Sequence, residues 1–115
     1  MKLTIIMAIV LTAFSAFAFD GSIGSGEKTV DSLIYSNPCY ITGVYIITNG
    51  TNDAKVIIYD NTTAAGTVRW EQTVAGTDNY GGRDWSYPKR FDNGIYVDVT
   101  GTGASYIIEY IKTDR

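Results

Sequence analysis

The chain has 115 residues, a formal net charge of −3 and a hydrophobic fraction of 45%, which bounds it to one folded domain with an ordinary core. It has no histidine and a single cysteine, so a Ser-His-Asp or Cys-His catalytic site, a Cys/His zinc site and a disulfide within the chain are all excluded. The basic residues Lys55, Arg69, Arg83, Lys89 and Arg90 are scattered among acids, which argues against nucleic acid and against anionic membrane surfaces, since both need a basic face.

Met1-Lys2 puts one positive charge ahead of an apolar run from Leu3 to Phe14. Ser15-Ala16-Phe17-Ala18 then sets small residues three and one places before a cut after Ala18. This is the layout of a secretory signal peptide. The run is short of the roughly 20 apolar residues of a membrane span. Residues 1–18 thus read as a cleaved signal that meets the membrane only in transit. An uncleaved anchor, or a retained apolar arm that packs into a neighbouring subunit, are the alternatives. Residues 19–29 are rich in Gly and Ser and read as a flexible arm.

The folded domain is expected over residues 30–115, where apolar segments alternate with turn clusters and no helical period appears. The first predicted strand is Val30 to Tyr35, closed by Ser36-Asn37-Pro38. The second runs from Tyr40 to Thr48, with Gly43 as a bulge or close-approach point. Asn49-Gly50 is a hairpin signal, because Asn-Gly readily takes positive φ. The third strand is Ala54 to Tyr59. Residues 60–66 form the next turn. In the fourth strand, Thr67 to Val74, the pattern puts Val68, Trp70 and Val74 on one face, with Gln72 weakening it. A loop follows from Ala75 to Gly82, then a short strand from Arg83 to Tyr87 stopped by Pro88. The sixth strand, Gly94 to Thr100, alternates cleanly. The last, Ala104 to Lys112, is apolar on both faces and is expected to be central or at a subunit contact.

About seven short strands joined by polar turns predict an all-β fold, a single antiparallel β-sandwich or jelly-roll-like domain. No cofactor site is legible. Cys39 reads as a buried small hydrophobe, or else as a cross-link between two exported subunits.

The candidate site residues are aromatic. Tyr80, Trp85, Tyr87 and Tyr96 are interface or ligand aromatics, and flat rings of this kind stack on sugar faces or fill subunit contacts. Trp70 falls on the apolar face of its strand and reads as core. Asp60, Asp78, Asp84, Asp92 and Asp98 supply oxygens, but lack the spacing of a dedicated Ca²⁺ loop and fit turns instead. Asp84 with Asp92 or Asp98 can be imagined as a glycosidase pair, but a sandwich of this size has little depth for a substrate cleft and no carboxylate sits in an obviously apolar setting, so no catalytic or metal residue is assigned. Asn49-Gly50-Thr51 and Asn61-Thr62-Thr63 match the N-glycosylation pattern in predicted turns.

Two strings, Ile58-Tyr59-Asp60-Asn61-Thr62-Thr63-Ala64-Ala65-Gly66-Thr67 and the stretch from Phe91-Asp92-Asn93-Gly94 to Gly103-Ala104-Ser105-Tyr106, follow Thr42-Gly43-Val44 in an order that resembles small β-sandwich proteins of tailed bacteriophages. The resemblance covers about Val30 to Tyr110. It implies a non-enzymatic virion component, such as a capsid decoration or tail-associated subunit, that associates with itself and with other virion proteins. An export signal points instead to a secreted or cell-surface filament subunit of the same fold, in which strand faces and N-terminal strand exchange join the copies. The alternative is a secreted carbohydrate-binding module that uses surface aromatics.

Overall fold

The computed structural model describes residues 21–113. Eight strands lie among them: β1 (Ile23–Gly24), β2 (Ser32–Tyr35), β3 (Cys39–Ile47), β4 (Ala54–Asp60), β5 (Thr67–Val74), β6 (Tyr80–Phe91), β7 (Ile95–Thr100) and β8 (Ser105–Lys112). One 3₁₀ turn, Gly76–Asp78, joins β5 to β6. The strands form two antiparallel sheets, a front sheet in the order β1-β8-β3-β6 and a back sheet in the order β2-β7-β4-β5. β1 pairs with β8, β2 with β7, β3 with β6 and β4 with β5. That nesting is one long hairpin rolled over itself, the jelly-roll arrangement. The chain is thus an all-β sandwich, of eight strands rather than seven.

Alternation turns one face of each sheet inward. In β4, Ala54, Val56 and Ile58 are buried while Lys55, Ile57 and Tyr59 look out. Ile41, Val44 and Ile46 of β3 meet Ile95 and Val97 of β7, with Phe91, Tyr106 and Ile108, in one core. Burial of each large apolar side chain contributes about 1.5–3 kcal/mol. Cys39 is buried in that core, as its sequence context suggests. Gly43 marks a bulge: the register of β3 shifts between Ile41 and Gly43 against both β6 and β8. The last strand, β8, lies between β1 and β3, as its two apolar faces require.

Three expectations need correction. The segment read as a flexible arm, 19–29, holds β1 within it. Ser25 N donates to Ile108 O (2.8 Å), and Lys28 exchanges backbone bonds with Tyr106 (2.8 and 2.9 Å). These bonds cover the edge of β8, which would otherwise offer unpaired groups to another chain. The signal-like residues 1–18 lie outside the described residues. Second, the short fifth strand is the twelve-residue β6, Tyr80–Phe91, and Pro88 does not stop it. β6 is an edge strand, where proline removes no ladder bond that a neighbour needs. Third, Val68 does not share a face with Trp70 and Val74. The β4–β5 register shifts so that Trp70 pairs with Ile58 but Val68 pairs with Tyr59. A one-residue bulge at Arg69 reverses the face of everything before it.

Candidate functional site

Tyr80, Trp85 and Tyr87 all stand on β6, but they do not form one platform. Tyr80 opens the strand opposite Ile47 and is 76% exposed. Trp85 and Tyr87 belong to a large bulge. Gly43 pairs with Asp84 and Ile41 with Lys89, so Trp85, Ser86, Tyr87 and Pro88 stand opposite Thr42 alone. Gly43 makes room for the start of this bulge. A Cβ there would lie 2.9 Å from Asp84 Oδ1, the oxygen that accepts a 2.9 Å bond from the Tyr45 hydroxyl. That bond to a carboxylate, aided by burial, holds the Tyr45 phenol above its usual range.

Trp85 turns inward from the bulge. It meets Trp70 of β5 edge to face, with ring centroids 5.8 Å apart and planes at 77°. The Arg83 guanidinium lies over the Trp85 ring at 5.6 Å. Trp85 is therefore half-buried against the core, between two partners of its own chain. Trp70 is half-buried too, packed on the core from the back sheet. Below this pair, Arg69 reaches across from its bulge, donates to Arg90 O (3.2 Å) and lies over the Phe91 ring (5.8 Å). These contacts seal the side of the sandwich between β5 and β6. Tyr87 points the other way and is 90% exposed.

Tyr96 is on the other sheet, among residues that sequence reasoning did not single out. On the outer face of the back sheet, Leu33 pairs with Tyr96, Tyr96 with Tyr59, and Tyr59 with Val68. One apolar row thus crosses all four strands. Its aliphatic ends are the more open, Leu33 at 46% and Val68 at 47%, and its tyrosines are half-buried by their neighbours. Beside the row, Ile57 pairs with Asp98 and Glu71. The outer face of the front sheet is mixed: Tyr45 pairs with Ile107 and Tyr40 with Ile111, and Asp84, Glu109 and Arg90 lie among them. Val68 was hidden because its bulge inverts the parity of β5. The alternation of Ile57 and Tyr59 with buried neighbours was the signal that could have found the row.

The acids are dispersed. Asp60 accepts from the backbone N–H groups of Asp92 (3.2 Å) and Asn93 (2.8 Å), which shapes the β6–β7 turn. Asp92 pairs with Arg90 at 2.8 Å. Asp84 lies on the front sheet and Asp98 on the back sheet, so the two are not brought together. Asp98 instead meets Asp31, whose other bond accepts from Val99 N (2.8 Å). Burial first, then the hydrogen bond to Asp31 and its charge, raise the Asp98 carboxyl above the ordinary range. Among the described residues, no group of three or more His, Cys, Asp or Glu is placed to hold a metal ion. Both Asn49 and Asn61 are tied into their turns: Asn49 Oδ1 accepts from Thr51 N and Asn52 N, and Asn61 Nδ2 donates to Ala65 O.

What the fold and its surfaces define is a jelly-roll sandwich whose two outer faces both carry apolar side chains. No family model, curated protein or solved structure matches the chain.

Proposed function

We propose that the protein is a non-enzymatic structural subunit that associates with copies of itself, in a virion surface or in an exported filament or surface assembly. One observation carries this reading, the apolar row Leu33–Tyr96–Tyr59–Val68 that spans the back sheet. An aliphatic and aromatic band across a whole sheet face fits a contact surface, since such surfaces are enriched in tyrosine at their centre. The resemblance to small phage β-sandwich proteins supports the virion form of the reading, and the signal-like N-terminus supports the exported form. Sedimentation of the full-length chain, together with recovery of the protein in particles from its source, tests it. Self-association or particle recovery is expected, and a monomer in soluble fractions alone rejects it.

A second reading is favoured by one residue. Tyr87 stands 90% exposed on the β6 bulge beside Ser86, as a ring that stacks on a sugar would. Retention on a panel of polysaccharide matrices, lost in Tyr87→Ala, would support a carbohydrate-binding module. Trp85 is a poor probe for this, because its ring holds the sandwich together.

A further inference from the structure

We infer that Asn93-Gly94, in the turn from β6 to β7, is a site of spontaneous covalent modification, where the folded protein converts Asn93 to isoaspartate and so loosens the turn. This inference is independent of the subunit reading.

Asparagine is a thermolabile residue, most of all before glycine, which has no side chain to keep its nitrogen from the preceding carboxamide. The Gly94 nitrogen attacks Asn93 Cγ, the Cγ–Nδ2 bond breaks, and ammonia leaves with the proton that the Gly94 nitrogen gives up. The cyclic imide then takes up water. Opening at one carbonyl gives aspartate. Opening at the other gives isoaspartate, in which the main chain runs through Cβ and is one atom longer.

The chain has two such pairs, Asn49-Gly50 and Asn93-Gly94, and the fold treats them differently. The Asn49 carboxamide is held at both ends. Its Oδ1 accepts from Thr51 N (2.9 Å) and Asn52 N (2.8 Å), and its Nδ2 donates to Asn52 Oδ1 (2.9 Å). The attacking nitrogen there is held as well, since Gly50 N donates to Thr48 Oγ1 (3.1 Å). These bonds must break before that ring can close. Asn93 is exposed, and among the described residues its carboxamide has no hydrogen-bond partner. Its backbone N–H is tied to Asp60 Oδ1 (2.8 Å), a bond that leaves the carboxamide free to turn.

The turn has no room for the product. A Cβ on Gly94 would lie 2.5 Å from Tyr35 O and 3.2 Å from Ser36 Cα, so an extra main-chain atom next to it must displace the end of β2. The new carboxylate also arrives beside Asp60, which accepts from Asp92 N and Asn93 N. Like charges at such range repel, and the Arg90 guanidinium is already paired with Asp92 at 2.8 Å.

The test is incubation of the full-length chain at mildly alkaline pH, folded and in urea, followed by tryptic mass spectrometry. Asn93 is the one asparagine between Arg90 and Lys112, so cleavage separates it from Asn49. In urea the two pairs should convert at similar rates. In the folded protein Asn93 should convert at least about tenfold faster than Asn49, the margin that one net hydrogen bond represents. The aged chain should melt at a lower temperature than the fresh chain and than Asn93→Asp, which adds the charge without the extra atom. Asn93→Gln, whose longer side chain closes a ring far more slowly, should keep its melting temperature on ageing. Equal rates at the two pairs in the folded protein, or an Asn93 that reacts in urea and is silent when folded, would overturn the site. Conversion that leaves the melt unchanged, or an Asn93→Gln chain that ages as the wild type does, would overturn its effect on the turn.

Discussion

Trp70 of β5 and Trp85 of β6 meet edge to face at 5.8 Å across the side of the sandwich where the two sheets have no strand in common. A two-sheet fold is open at such a side unless side chains close it. This pair closes it, with Arg69 below.

Replacement of either tryptophan by alanine should destabilise the domain by about 2–4 kcal/mol, toward the lower end of large-to-small core changes because both rings are only half-buried. The pair should couple by about 0.5–1.5 kcal/mol in a double-mutant cycle, read by urea unfolding. Additive single losses would mean that the rings act separately.

Gly76 and Gly24 offer opposite outcomes. A Cβ on Gly76 would lie 2.3 Å from the Thr51 carbonyl, while a Cβ on Gly24 meets nothing within 4 Å. Gly76→Ala should cost at least about 2 kcal/mol, because the backbone of the β3–β4 loop must move away. Gly24→Ala should change stability by less than about 0.5 kcal/mol. Thermal melts of the two variants compare them directly.

Asp98 gives a pH signature. Its carboxyl is raised above the unfolded value of 3.8 by burial and by Asp31. The folded state therefore holds that proton more tightly than the unfolded chain does. The stabilisation is complete below about 3.8 and is lost as pH rises through the raised folded value. Asp98→Asn should accordingly stabilise the fold at neutral pH, by less than about 1 kcal/mol for a half-buried group that water still screens. The advantage should shrink as the wild-type carboxyl protonates on acidification. An advantage that does not depend on pH would contradict the role of the Asp31–Asp98 pair.

Tyr87 should be silent for folding. With its ring in solvent, Tyr87→Ala is expected within about 0.5 kcal/mol of wild type by chemical denaturation. A larger loss would show that the bulge depends on it.

The strands that alternate without interruption were legible in the sequence. β4 and β7 appear almost residue for residue, because Val56 and Ile58, or Ile95 and Val97, declare the buried face. What was hidden sits at irregularities. The bulge at Arg69 turns Val68 outward, and parity cannot reveal an inserted residue. Pro88 reads as a strand end, yet an edge strand with a four-residue bulge runs past it. β1 has too few side chains to carry a pattern, and only the need to cover the edge of β8 explains it. The candidate aromatics were visible as residue types. Their grouping was not, because Leu33, Tyr96, Tyr59 and Val68 meet only through the registers of three strand pairs.

Sedimentation velocity of the full-length chain, from micromolar to millimolar concentration, is the most direct measurement of whether this is an assembly subunit. The expected result is a sedimentation coefficient that rises with concentration in the wild type and rises much less in Leu33→Glu. A monomer value that stays constant throughout the range, for a chain that is also absent from particles, would contradict it.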